Sequence, residues 1–268
     1  MHRFFVQSKL NNNMTVRIEG DDYQHLKNSL RIRTGELIEI CDGCNNTFIA
    51  SVGNLNKNYC EAVLQERIPL SNEPGCKITL YPAVLKGDRF ESMIQKCVEG
   101  GVYAVKPVIT SNTIVDISSE NAVKKHKRWS RVCKLACMQS KRDILVNIDK
   151  PVKLFDAVMC LQSGNNLNNN DSKKESKRYR KEISFVCHEA EEEHSIDAIL
   201  EKAFGEKVEN INIFIGPEGG FSEQEIEKLN EYGILSVHMG KRILRADTAA
   251  YSAVFYTAMR YELNRVNQ

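Results

Sequence analysis

No run of apolar residues in this 268-residue chain approaches the roughly 18 that a membrane-spanning helix requires, which excludes an integral helical membrane protein. The opening Met1-His2-Arg3-Phe4-Phe5-Val6 turns polar at Gln7, so the apolar stretch of a secretory signal is missing and a cytoplasmic location is expected. Proline is scarce, with 6 residues beside 15 glycines, and 42% of the chain is hydrophobic against 27% charged. Collagen-like, fibrous and wholly disordered classes are thereby excluded, and a real core can form. Metal-site spacing is nearly absent: Cys41-Asp42-Gly43-Cys44 stands alone, with no second pair and no paired histidines to complete four ligands. It reads as a turn between strands, and no metal is expected. The nine cysteines are odd in number and accompany no export signal, so they read as reduced thiols packed as small apolar groups. No Gly-Lys-Ser/Thr loop and no GxGxxG fingerprint are present either.

What is present is charge, unevenly spread. Eight cations (Lys124, Lys125, Lys127, Arg128, Arg131, Lys134, Lys141 and Arg142) fall in one window without an acid, so a net +2 leaves −6 for the remainder. A second cluster runs from Lys173 to Lys181. Such fields attract phosphate backbones. An equally good reading is a solvated helix face balanced by acidic neighbours.

Short strands are predicted over Arg3–Val6, Met14–Glu19, Glu36–Cys41, Thr47–Val52 and Cys60–Glu66, a spacing that suggests a small β-barrel over residues 1–72. Pro69 to Gly75 reads as a linker. Strand and helix then alternate through residues 73–268, which implies a parallel sheet covered by helices: an α/β domain. Predicted strands are Lys77–Val84, Val102–Thr110, Ile144–Ile148 and Ile183–His188. Predicted helices are Asp88–Glu99, Asn121–Ser140, Val152–Leu161 and Ser195–Phe204. The polar, repetitive segment 162–182 is expected to be a flexible insertion.

The sharpest stretch is an apolar strand, Ile211–Ile215, running into Gly216-Pro217-Glu218-Gly219-Gly220 and then a helix opened by a Ser222/Glu225 capping box. A second unit repeats the design: strand Ile234–Met239, loop Gly240-Lys241-Arg242-Ile243-Leu244-Arg245-Ala246, and a final helix capped by Asp247 or Thr248. Two such loops at the carboxyl ends of strands form a natural ligand crevice. The pair Ile243–Leu244 suits either a flat apolar ring or the docking of its own loop.

Ile215 to Ser222 together with Met239 to Ala249 resembles the paired signature of the SPOUT methyltransferases, and within them the ribosomal RNA small subunit methyltransferase E family. His25-Leu26 to Arg31, Gly35-Glu36, Lys86-Gly87-Asp88, Gln95-Lys96 and Arg128-Trp129 to Arg142 are similar as well, so the likeness spans nearly the whole chain outside the insertion. Three positions depart from it: Met138 replaces an acidic residue, Asp247 stands where glutamate is usual, and Gly100 where leucine is common. The resemblance implies an N-terminal PUA-like β-barrel that binds RNA and a trefoil-knotted SPOUT domain with a parallel sheet. It also implies S-adenosylmethionine as methyl donor, a homodimer, and N3-methylation of a uridine in 16S ribosomal RNA within the 30S subunit. By matching position, the donor is expected against His188, Ile215, Gly216, Gly219, Gly220, Met239, Gly240, Ile243, Leu244, Arg245, Thr248 and Ala249.

Transfer to N3 requires loss of its proton and stabilisation of charge on the uracil oxygens. Arg245 is the candidate catalytic residue, with Asp247 either orienting it or serving only as a helix cap. Arg3, Arg31, Arg33, Lys127, Arg128 and Arg142 are the candidate RNA contacts. Two other functions remain open: a non-catalytic RNA-binding assembly factor, which Met138 would suit, and a methyltransferase acting on tRNA.

Overall fold

Thr15–Glu19 buries only Val16 and Ile18, the alternation of a strand with one face on a core. The structure, a computed structural model, describes residues 1–69, 71–115, 119–167 and 182–266. It divides into a unit of Met1–Glu73 with Lys134–Val146, and a unit of Pro74–Cys133 with Asn147–Gln268.

The first unit contains β1 (Arg3–Phe5), β2 (Thr15–Glu19), the short helix α1 (Gly20–Gln24) with a π-turn at His25–Ser29, β3 (Leu37–Cys41), β4 (Thr47–Leu55) and β5 (Tyr59–Arg67). The strands form one curled sheet in the order β1-β3-β4-β5-β2. All neighbours are antiparallel except β1 and β3. Register shifts between Ile49 and Ala50 and between Val52 and Leu55 bend β4 across β5, which lets the sheet close over its core. Phe4, Tyr23, Leu26, Ile38, Ile40 and Leu64 fill that core, and Met138 packs against it. The Cys41–Cys44 segment is a turn: the Asp42 carboxylate accepts from the amides of Cys44 (2.7 Å) and Asn46 (3.2 Å).

The second unit begins with β6 (Lys77–Pro82) and α2 (Arg89–Glu99), followed by β7 (Ala104–Val105), β8 (Val108–Ile109) and α3 (Ser119–Gln139), whose last turns belong to the first unit. It continues with β9 (Asn147–Ile148), β10 (Val152–Lys153), α4 (Leu154–Leu167), β11 (Glu182–Cys187) and α5 (Ile196–Gly205). It ends with β12 (Asn210–Ile215), α6 (Glu223–Glu231), β13 (Leu235–Val237) and α7 (Ala246–Val266). Six strands form a parallel sheet in the order β13-β11-β12-β6-β7-β9. β12 is buried at every position after Asn210, as a strand covered on both faces must be, and Phe214 stacks on Tyr81 of β6 at 4.4 Å. After β13 at one edge, the chain returns so that α7 packs on α2, β6 and β12.

Several predicted elements change. Val102–Thr110 is two short strands, because Pro107 has no amide to continue a ladder. Of Ile144–Ile148 only Asn147–Ile148 is a strand, Ile144 instead forming an isolated bridge with Cys44. Val152 and Lys153 pair with β8 before α4 starts. α4 carries on through residues 162–167, whose composition suggests the insertion, and residues 168–181, with the second basic cluster, lie outside the described residues.

Candidate functional site

All six strands of the second sheet run in one direction, so the loops after β6, β11, β12 and β13 gather at one edge. They enclose a cavity of about 320 Å³, lined by Arg89, Cys187, Glu189, Ile215, Gly216, Pro217, Glu218, Gly220, Phe221, Ile243, Leu244, Arg245, Ala246 and Ala249. A smaller cavity of about 80 Å³ adjoins it through Cys187, Glu189, Ile243, Leu244 and Ala249, and adds His188, Met239 and Gly240. The larger volume lies at the lower bound of small-molecule sites.

The glycines are needed where they stand. A Cβ on Gly216 would lie 3.1 Å from the Phe221 ring, and one on Gly220, at φ +68, would meet Glu189 Oε1 at 2.9 Å. Gly240 turns at φ +99 beside open space. Glu218 points to the loop after β6, where it accepts from the Lys86 amide at 3.2 Å and lies 4.0 Å from Arg89 Nη1. The capping box of α6 is formed between Ser222 and Glu225.

Of the sequence-predicted donor-binding residues, His188, Ile215, Gly216, Gly220, Met239, Gly240, Ile243, Leu244, Arg245 and Ala249 line one or both cavities. Gly219 and Thr248 are not among the lining residues, although each directly adjoins one. Ile243 is 84% exposed, so it does not dock its loop to the core, and only the half-buried Leu244 suits that role. The start of α7 differs from expectation. The Ala249 amide donates to the Arg245 carbonyl at 2.8 Å, and the helix begins at Ala246, so Arg245 occupies the capping position while Asp247 and Thr248 lie in the first turn. Asp247 gains there from the positive end of the helix dipole rather than from a cap. Desolvation pushes the Cys187 thiol up to about 12, so it stays protonated at neutral pH.

Two of the six predicted RNA contacts are corrected. Arg3 is 3% exposed and Arg142 is 2% exposed. Arg3 donates to Glu39 (2.9 Å) and Asp143 (2.8 Å), and Arg142 pairs with Glu73. Burial with carboxylate partners withdraws both from a nucleic-acid surface. Arg31, Arg33, Lys127 and Arg128 are exposed, with Arg128 paired to Glu91 at 2.8 Å. Lys134 pairs with Asp22 and Lys141 with Glu39, so half of the basic window is neutralised by named carboxylates.

The residues present fit S-adenosylmethionine. Gly240 borders open space beside the smaller cavity, Ile215, Leu244 and Ala249 offer apolar surface to a flat ring, and Glu189 and Glu218 bring negative charge beside a cationic ligand. Sequence reasoning missed Glu189, although it follows His188, and Arg89, although it follows the Lys86-Gly87-Asp88 run. It also missed Ser111 and Asn112, which reach Glu225 of α6 and the glycine loop respectively from more than 100 residues away and leave no local signal.

Residues 72–258 match a family profile described as an RNA methyltransferase domain, and residues 18–65 match an RNA methyltransferase PUA domain. The chain is 33% identical over 257 residues to the ribosomal RNA small subunit methyltransferase E of Mesomycoplasma hyopneumoniae, covering 93% of this chain and 96% of that protein. It is 26% identical over 271 residues to the Bacillus subtilis protein of the same name, covering 100% of each. Among solved structures, the Neisseria gonorrhoeae ribosomal RNA small subunit methyltransferase E bound to S-adenosylmethionine has a TM-score of 0.78 at 28% identity, covering 97% of this chain and 98% of that one. A putative methyltransferase from Legionella pneumophila in complex with the same cofactor has a TM-score of 0.80 at 27% identity, covering 96% and 97%.

Proposed function

This chain belongs to the RNA methyltransferase domain family, and from that premise we propose that it is an S-adenosylmethionine-dependent enzyme methylating N3 of a uridine in 16S ribosomal RNA. The observation that carries the reading is the cavity of about 320 Å³ walled by the two glycine loops, into which Arg245 opens beside an apolar face and two carboxylates. A PUA-type first unit supports an RNA substrate, and relatives named for the small ribosomal subunit support the 16S molecule. Among the described residues no helix is long and apolar enough to cross a membrane, and a cytoplasmic site of action follows from the substrate. A homodimer is part of the same reading. Phe255, Met259 and Leu263 repeat every four residues along α7 and remain 40%, 54% and 58% exposed, an apolar stripe suited to a second copy.

When bound, S-adenosylmethionine supplies a methyl group activated by its sulfonium sulfur. The side chains supply alignment and charge. N3 must first lose its proton to solvent water, which spreads negative charge over the uracil oxygens; methylation by the bound donor would discharge that anion and release the demethylated thioether. The Arg245 guanidinium offers several donors from the cavity lining, which favours the deprotonated ring. Asp247 lies two residues on in the first turn of α7, where its charge favours the helix end, and among the described residues no ion pair joins it to Arg245. Cys187, held as a thiol, does not compete for the methyl group. Met138 packs on the core of the first unit, so its replacement of an acidic residue removes nothing from the cavity lining and gives no support to a non-catalytic role.

The test offers 30S subunits, naked 16S RNA and tRNA in parallel with labelled S-adenosylmethionine, followed by reverse transcription. The expected result is label in 16S RNA and a stop at one uridine, because a methyl on N3 blocks pairing. Label in tRNA alone transfers the activity to that substrate, and absence of both label and donor binding replaces the enzyme by an assembly factor.

A further inference from the structure

Glu225 is 7% exposed and does more than close the capping box of α6. Its carboxylate accepts from the Ser222 amide (3.0 Å) and hydroxyl (3.2 Å), and also from the amide (2.8 Å) and hydroxyl (2.9 Å) of Ser111, in the turn that follows β8. The next residue in that turn, Asn112, donates its side-chain amide to the carbonyls of Gly219 and Gly220, both at 3.1 Å. The turn is itself braced. Thr113 Oγ1 accepts from the Thr110 amide and shares a hydrogen bond with Thr110 Oγ1, each at 3.0 Å, while the Thr113 amide donates to the Thr110 carbonyl at 3.2 Å. A self-supporting turn thus grips the last two residues of the glycine loop through Asn112 and the helix cap that follows through Glu225.

We infer that Ser111 and Asn112, anchored by Glu225, are positioning residues that hold the Gly219–Gly220 turn in the conformation the methyl donor binds; the inference rests on the methyltransferase reading of the cavity. The physical need is clear. Gly220 sits at φ +68 beside Glu189, and two successive glycines without side chains have many other conformations available. Tying both carbonyls and the next helix cap removes that freedom before the ligand arrives, so the ordering does not weaken binding. Because Ser111 and Asn112 are exposed, their side chains contribute little to the core, and substitution there leaves the fold intact.

The experiment compares Asn112→Asp, Asn112→Ala, Ser111→Ala and Ser111→Thr with the unsubstituted protein. Asn112→Asp places a carboxylate oxygen against the two carbonyls and is the most disruptive. It should weaken S-adenosylmethionine binding by about tenfold in calorimetry, in line with the removal of two hydrogen bonds. KM for the donor should rise in step while kcat at saturating donor stays within a few-fold. Ser111→Ala should weaken binding less, and Ser111→Thr, which keeps the hydroxyl, should restore it. Amide hydrogen exchange at Gly219, Gly220 and Phe221 in the free protein should accelerate in Asn112→Asp and Ser111→Ala with the melting temperature nearly unchanged. Unchanged donor affinity and unchanged exchange in Asn112→Asp overturn the inference. If the unsubstituted protein binds no donor, the methyltransferase reading fails instead, and the exchange measurement still decides whether the turn holds the loop.

Discussion

Arg3 is where the polar interior of the first unit converges. Its guanidinium donates to Glu39, to Asp143 and to the carbonyls of Lys141 (2.6 Å) and Arg142 (2.8 Å), while Asp143 also accepts from Thr47 at 2.6 Å and from the Asn72 amide at 2.7 Å. Arg3→Ala leaves two carboxylates buried without that partner and should destabilise the protein by about 3–5 kcal/mol in urea unfolding. Burial of Glu39 raises its pKa, but the Lys141 hydrogen bond and Arg3 outweigh it, so the carboxyl titrates below its usual range. A depressed carboxylate contributes its stability above the unfolded-state value and loses it as pH falls through the folded one. Glu39→Gln should therefore lower stability at neutral pH and flatten the acid limb of the stability–pH curve. An acid limb as steep as that of the unsubstituted protein would assign the linkage to other groups. At the cavity, Arg245→Ala should abolish methyl transfer while donor affinity stays within a few-fold; retained turnover removes Arg245 from the mechanism. Arg245 was legible because it sits in a local motif, whereas Arg3 and Arg142 were misread because the carboxylates that claim them are 36 to 140 residues away.

At the scale of elements, α2 and α7 meet at a glycine. A Cβ on Gly100, just past the end of α2, would lie 2.6 Å from the Phe255 ring of α7. The absence of a side chain at residue 100 thus accounts for one departure from the family pattern: Phe255 takes the space. Gly100→Ala should destabilise the protein, by about 1–3 kcal/mol for an overpacked contact. In a double-mutant cycle with Phe255→Ala, most of that destabilisation should disappear. Additive effects, measured by thermal unfolding of all four proteins, would place the strain elsewhere. The strands of the first unit and the helices α2, α5 and α6 were legible from apolar periodicity and caps. The Val102–Thr110 run was misread because β-branched residues mask the Pro107 break, and the onset of α7 because a carboxylate serves a cap and a first turn equally well.

For the whole molecule, the proposed function calls on two surfaces, one for a second copy and one for RNA. The exposed apolar stripe of α7 should be the contact between copies, so Met259→Lys with Leu263→Lys should yield a monomer in sedimentation equilibrium with the fold retained. An unchanged dimer, or a monomer before substitution, removes the stripe from that role. The proposed RNA contact rests on exposed cations such as Arg31, Arg33 and Lys127, since Arg3 and Arg142 are buried. Charge reversal at those three should weaken RNA binding and make it less salt-dependent, the log–log slope shrinking by close to one for each phosphate that is no longer neutralised.

The amino-acid sequence by itself determined the class of fold and the two glycine loops, while the type of ligand was implied by the family signature those loops resemble. Strand periodicity, caps and positive-φ turns act over a few residues and are written locally. Tertiary structure alone decided which cations face solvent and which are held by carboxylates, because burial depends on partners far away in the chain. It also decided that Ser111, Asn112 and Glu225 join to hold one glycine turn. The apparently basic window from Lys124 to Arg142 shows the difference: its charge is read by counting, but half of it is matched by Glu91, Asp22, Glu39 and Glu73 only once the chain has folded.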